Sequence, residues 1–203
     1  MTEPHQAYDD VLHFWFGRVE ETIVPSEHRA RIWFGEDAAI DQEIKSRFAA
    51  HLQLAMEGEF DDWNKSPHGQ LASIITLDQF ARHIFRGTPK AFSQDDKALV
   101  ICADGMAHEA DHGLSLIERV FYYFPLLHSE NIAHQEQSVR AYRTLVDLAF
   151  SETRVIFDSF LKFAHHHYAV VQRFGRFPQR NKALSRESTQ AELEFLKEIE
   201  ENQ

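Results

Sequence analysis

An all-α fold is what this sequence predicts: antiparallel helical hairpins packed as one compact domain over residues 1–203. Three observations predict it. Apolar residues recur three and four positions apart in segment after segment, the period of a helix with one buried face. Side chains able to cap a helix stand ahead of these segments, and glycine stands behind several of them. No stretch reads as a strand, and 8 glycines and 6 prolines among 203 residues leave little material for a succession of hairpin turns.

Tyr8 to Phe16 is a short aromatic-rich helix docked by Phe14, Trp15 and Phe16, with His13 at its interface, and it ends at Gly17. Ser26 to Phe34 reads as a second short helix closing at Gly35. Asp37 caps a longer one, in which Ile40, Ile44, Phe48, Leu52 and Ala55 form a stripe and Gly58 is the stop. Trp63 anchors the turn that follows. Ser66 and Pro67 are N-cap and first helical position of the next helix. Ser93 with Asp96 has the S-x-x-D form of a helix start, and that helix is expected to end near Gly113. The apolar stretch Leu114 to Phe124 meets Pro125, which forces a stop or bend. Ser129 is the expected cap of a helix with Val139, Tyr142, Leu145, Val146 and Ala149 on one face. A long helix follows from about Thr153 to Phe174, and Thr189 with Glu192 forms a capping box for a closing helix within 185–203 that packs on the rest. Helices joined in this way make a bundle or a helical-hairpin array.

Lys and Arg total 21 against 32 Asp and Glu, a formal net charge of −11. Such a surface repels polyphosphate, so nucleic acid is not an expected partner. A single cysteine, Cys102, excludes an internal disulfide, and the start MTEPHQAYDD lacks the basic and apolar regions of a secretory signal. No apolar run reaches the roughly 18 residues of a membrane span. The expectation is a soluble cytoplasmic protein with no membrane partner.

Ser66 to Phe92 departs from an ordinary amphipathic helix. At about 100° per residue, Leu71, Ile74, Ile75, Leu77, Phe80, Ala81, Ile84 and Phe85 cover over half the circumference. Asp78 and Arg82 fall inside that arc, with Arg86 at its margin. Burying a lone charge costs several kcal/mol, so the two are expected to be paired or to share a partner. That leaves two readings, a structural ion pair or part of a ligand site.

Further groups bear on the choice. In the run His165, His166 and His167, only His167 falls in the middle of the apolar face of the long helix, while His166 points opposite. Neighbouring histidines on one helix cannot share a metal, so no metal site is expected. The segment RFGRFPQRN, residues 173–181, holds Arg173, Arg176 and Arg180 on a short ordered turn suited to bidentate capture of a carboxylate or phosphate. The same arginines can instead neutralise helix C-termini and carboxylates of the protein itself. His128 and Glu130 follow the Pro125 bend, where polar groups can be aimed into a cavity. His108 to His112 spells H-E-x-x-H, but both histidines lie opposite the apolar stripe, in the last turn of their helix, and no third ligand follows. A zinc protease is therefore not the reading.

Taken together, LDQFARHIFRGTPKAF, FYYFPLLHSE and RFGRFPQRN make the chain similar to the bacterial family labelled domain of unknown function 924, from LHFWFG to STQAELEFL. The resemblance implies an all-helical, tetratricopeptide-like fold and no established activity, although the 34-residue repeat markers are not visible in the sequence. The family's motifs fall on Asp78, Gln79, Arg82, Arg86, His128, Glu130, His167, Arg173, Arg176, Arg180 and Asn181. Ala81, His83 and Gln179 depart from the usual residues.

Two functions follow. In the first, Arg82, Arg173 and Arg176 grip a small anionic molecule that Asp78, His128, Glu130 and His167 orient. If the protein is an enzyme, His167 is then the acid or base and Glu130 its orienting partner, with no cofactor. In the second, the helices form a scaffold that binds a protein or peptide, and the charged cluster is structural.

Overall fold

The structure, a computed structural model, describes residues 8–17 and 27–201. Among these, the ordered elements are helices, and no strand occurs. Ser26, the expected start of the second helix, lies outside the described residues.

The molecule is arranged around residues 67–84, where α4 (Pro67–Ile74) runs through a π turn (Ile75–Phe80) into α5 (Ala81–Ile84). Ser66 caps it, its hydroxyl accepting from the Gly69 amide at 3.1 Å, and Pro67 opens it without losing a needed donor. Every residue from Gly69 to Ala81 is buried, as a helix apolar on most of its circumference must be. Around it pack α1 (Asp9–Phe16), α3 (Ala38–Glu57) and α6 (Asp95–Ala107). Trp15 of α1, fully enclosed, meets Phe80 edge-on with ring centroids 5.8 Å apart, and Phe48 of α3 stacks on Phe80 at 4.6 Å. The α3 stripe is the expected one: Ile40, Ile44, Phe48, Leu52 and Ala55 are buried, with Asp37 capping the start and Gly58 at φ 86° closing the end. The short α2 (Glu27–Phe34) packs beside α1.

Three boundaries differ from expectation, each for a local reason. The Ser93 signal is bypassed because Pro89–Phe92 forms a separate 3₁₀ turn, leaving Gln94 at the N-cap of α6. Helix α6 stops at Ala107 and the chain turns through Glu109 at φ 57°, so His108 and His112 of H-E-x-x-H share no helix and Asp111 turns inward to Arg119 and Tyr123. The break expected at Pro125 is present, and the proline opens the helix that follows it. It sits in the first turn of α8 (Phe124–His128), directly after α7 (Leu116–Tyr122), where its missing N–H is harmless. Asn131 rather than Ser129 caps α9 (Ile132–Leu148), accepting from the Ala133 amide. Helices α9 and α10 (Arg154–Phe174) form a hairpin across the turn 149–153, and α10 ends at Gly175 with φ 69°.

The terminal α11 (Gln190–Glu201) begins with the expected capping box: Thr189 Oγ1 accepts from the Glu192 amide and Glu192 accepts from the Thr189 amide. Only Glu192 of this helix is buried. Val170, Val171 and Phe177, with Phe174 and Phe195 against them, form a small apolar cluster separate from the main core, which ends along α10 at Ala164. No helix among the described residues is long and apolar enough to cross a membrane.

One packing contact leaves no room for a single methyl. A Cβ on Gly105 of α6 would stand 1.7 Å from the Tyr122 hydroxyl oxygen and 2.6 Å from the Gln70 side-chain oxygen to which that hydroxyl donates. Gly105→Ala is therefore expected to lower stability by about 2–3 kcal/mol, despite a gain in helix propensity of about 1 kcal/mol. Urea denaturation of the two proteins measures this, and equal midpoints would show that the contact relaxes freely.

Candidate functional site

Four chain segments converge at one end of the central helix. The π turn supplies Asp78, fully enclosed, with Arg82 one turn further on. A π turn adds a residue to the helical register, and such bulges re-aim side chains locally. The first turn of α6 supplies Asp95, the C-terminal end of α8 supplies His128, and the 3₁₀ turn Pro178–Arg180 after α10 supplies Arg180.

Arg82 is held on two carboxylates. Its Nη1 and Nη2 donate to the two oxygens of Asp95 at 2.9 and 3.0 Å, and Nη1 also reaches Asp78 Oδ1 at 2.9 Å and the Asp78 carbonyl at 2.8 Å. Arg180 donates to Asp95 at 3.2 Å and to the His128 carbonyl at 2.8 Å, and its guanidinium lies 4.8 Å from the ring centres of both Phe92 and Phe177. Stacking between two rings fixes the plane of the fork. Both arginines retain N–H donors beyond these bonds, since each guanidinium carries five.

His128 Nδ1 lies 2.8 and 2.9 Å from the two oxygens of Asp78. Burial alone raises the Asp78 carboxyl, but the Arg82 charge and the bonds from His128 and Gln79 outweigh it and hold the group well below the usual carboxylate range. Asp78 is thus an anion that accepts the bond, and His128 carries its proton on Nδ1. Burial and the adjacent Arg82 push the His128 imidazole below its ordinary value despite the pull of Asp78. At neutral pH the ring is neutral, and Nε2 is a proton acceptor.

The space in front of these groups is a cavity of about 680 Å³. Arg82, His128 and Arg180 form its polar end, Asp78 is enclosed behind them, and Asp95 lies outside this lining, on an adjoining cavity that shares Phe92, His128 and Arg180. Phe92, Phe163, Val170, Phe177, Phe195 and Ile199 make the walls, with His166, His167, Gln179 and Glu198 between them. The volume falls within the roughly 300–1,000 Å³ of small-molecule sites, and an apolar lining with a few convergent polar groups is their usual character. His167 is half-buried, not enclosed, and its Nδ1 bonds to the Phe163 carbonyl at 2.9 Å. Burial pushes its pKa down to about 3, so it stays uncharged near neutrality.

Of the residues expected from the sequence, the structure brings Asp78, Gln79, Arg82, His128, His167 and Arg180 together. Gln79 is buried and donates to Asp78, so its part is to hold that carboxylate. Five others are held elsewhere. Glu130 does not orient His167: it binds Arg186 at 2.7 and 3.0 Å and the Phe177 amide at 2.8 Å, fastening the turn after α10. Arg176 binds Glu192 at 2.6 and 2.8 Å and the Glu187 carbonyl, clamping the first turn of α11. Arg173 is exposed and lies over Phe174 and Phe195, away from the cavity. Arg86 bonds Asp41 at 2.6 and 2.8 Å beside His83, on the α3 side. Asn181 is buried and donates to Ser188, so it shapes the loop leading to α11.

Asp95 is the residue that sequence reasoning missed. An acidic residue in a first helical turn reads as a dipole partner, and its pairing with both Arg82 and Arg180 depends on long-range packing. His166 was placed on the polar face of α10 and nonetheless lines the cavity, because α11 brings a second wall alongside that face. Among the described residues no group of three or more His, Cys, Asp or Glu is placed to hold a metal ion.

Fold and site define an all-helical protein with an ion-paired Asp, His and Arg centre beneath a cavity. The chain belongs to the family described as bacterial protein of unknown function (DUF924), whose model matches residues 11–200. It is similar to the solved structure of a protein of unknown function from Agrobacterium tumefaciens, with 33% sequence identity over 94% of this chain and 97% of that one and a TM-score of 0.77. No curated protein matches it.

Proposed function

We propose that the cavity is a small-molecule site in which Arg82 and Arg180 take an anionic group and set it beside His128, a proton acceptor backed by Asp78. The observation that carries this reading is the layering of charge. Asp78 is enclosed behind Arg82 and His128, and Asp95 opens on an adjoining cavity and not on this one, so the groups lining the polar end are the two positive forks of Arg82 and Arg180 and the neutral imidazole of His128. A buried carboxylate orienting a histidine through Nδ1, with Nε2 directed to a pocket, is the arrangement of a general acid–base pair. If the site is catalytic, His128 moves the proton and Asp78 fixes its tautomer. His167, pinned to a carbonyl and uncharged, contributes wall and polarity.

A thermal-shift screen against phosphorylated and carboxylated metabolites tests this. A ligand at 100 times its dissociation constant adds about 2.7 kcal/mol of stability. The shift is expected in the wild type and in Arg173→Ala, whose side chain lies off the cavity, and is expected to vanish in Arg180→Gln. A shift lost equally in both variants would remove the cavity as the site.

A second reading keeps the tetratricopeptide-like scaffold that binds a protein or peptide. It is favoured by Leu148, Phe150 and Val155, which stand 54, 79 and 68% exposed at the tip of the α9–α10 hairpin. On that reading no small anion shifts the wild type.

A further inference from the structure

We infer that the ligand of this cavity is an amphipathic monocarboxylate with an unbranched apolar chain of about eight carbons, carboxylate at Arg82 and Arg180 and chain between α10 and α11. The inference rests on the reading of the cavity as a small-molecule site and adds the class of molecule that fills it.

The charge count comes first. Two arginines and two aspartates already balance at the polar end, and α8 ends there at His128 with its partially negative C-terminus. A dianion such as phosphate would bring two surplus negative charges to a centre whose own charges already cancel, and the helix N-terminus there, that of α6, already carries Asp95. One carboxylate, matched to the open edge of a planar fork, fits the donors that remain.

The walls set the rest of the molecule. From α10 the lining residues Phe163, His167 and Val170 span two turns, roughly 10 Å, the reach of an acyl chain of about eight carbons. Facing them are Phe195 and Ile199 of α11. That helix is fastened in its first turn through Glu192 to Arg176 and one turn on by the contact of Phe195 with Phe174, while Phe195 and Ile199 remain only part-buried. An apolar chain laid between the helices completes packing that α11 otherwise lacks. Glu198 also lines the cavity from α11, and its negative charge opposes a second carboxylate on the ligand.

Calorimetric titration of the full chain with acetate, butanoate, hexanoate and octanoate tests the inference. Affinity is expected to rise about fourfold per added methylene up to octanoate. Octanamide, which has the chain without the charge, and octanedioate, which adds a second charge, are each expected to bind at least tenfold more weakly. Ile199→Ala, on the outer helix and outside the main core, should reduce the gain with chain length, whereas Arg173→Ala, whose side chain lies off the cavity, should leave the whole series as it was. Phe195→Ala should weaken octanoate in the same sense. If phosphate or acetate binds as tightly as octanoate, the inference is overturned and the arginine site stands. If no anion binds, both fail together.

Discussion

Asp78→Ala is expected to be the most damaging substitution in the described chain, costing about 3–5 kcal/mol, because it leaves a buried guanidinium without part of its compensating charge. The carboxylate is fully enclosed and has three partners, Arg82, His128 and Gln79. Arg82 and His128 reach the cavity, with 18 and 14% of their side chains exposed, but the Asp78 carboxylate between them has no access to water. Chemical denaturation of Asp78→Ala, Arg82→Met and the double variant measures the effect. The double variant should be less destabilised than the sum of the singles, since removing both charges leaves neither stranded. A loss below about 1 kcal/mol in Asp78→Ala would mean that water reaches the pair and that the centre is ordinary surface.

The second large effect is an acid-side loss of stability that begins near pH 6.5. Burial lowers the folded-state pKa of His83, His128 and His167, the last to about 3. A histidine lowered in this way stays neutral when folded and takes up a proton when unfolded, so the unfolded state binds more protons below the unfolded value of about 6.5. Stability is therefore full above that pH and falls as pH drops through the interval down to the folded value. For His167 the loss at pH 5 is up to about 2 kcal/mol, from roughly 1.4 kcal/mol per unit. Asp78 adds to the loss further down. Its folded pKa is depressed, so its contribution is present above the unfolded value of about 3.9 and disappears below it. His68 works in the opposite sense, raised by its bond to Glu118, but its side chain is 49% exposed and the offset is small. Denaturation curves at pH 5, 6 and 7.5 should show the fall in the wild type and a slope shallower by about one proton in His167→Gln. A wild-type midpoint unchanged from pH 7.5 to pH 5 would contradict it.

What could be read from the sequence was whatever a short window determines. Ser66 and Pro67, Asp37, Gly58, Gly175 and the Thr189 and Glu192 box all mark helix ends where local chemistry alone sets the boundary. The inward direction of Asp78 and Arg82 was legible because an apolar arc surrounds them, and the period of the helix is a local property. Partner choice is not local. Arg82, Arg176, Arg180 and Arg186 each found a carboxylate 13 to 85 residues away or on another element, and nothing in the spacing of RFGRFPQRN tells Arg176 from Arg180. Glu130 looked like a companion for His167 because both are polar groups near a bend, yet Asp78 reaches a histidine 50 residues away and Glu130 reaches an arginine 56 residues away. The π turn was equally hidden, since one extra residue in a register leaves the apolar spacing almost intact over so short a stretch.

The separation of the small apolar cluster of Val170, Val171, Phe174, Phe177 and Phe195 from the main core has an evolutionary consequence. Asp78 and the residues that seat it are woven into the packing of α1, α3 and α6, where nearly every change of volume is costly. Beyond the clamped Glu192, side chains on α11 answer to no such constraint, because the main core is complete without them. Descendants of one ancestor can thus inherit an identical ion-paired centre and drift in what fits against it, trading Ile199 or Phe195 for larger or smaller neighbours at little cost to folding.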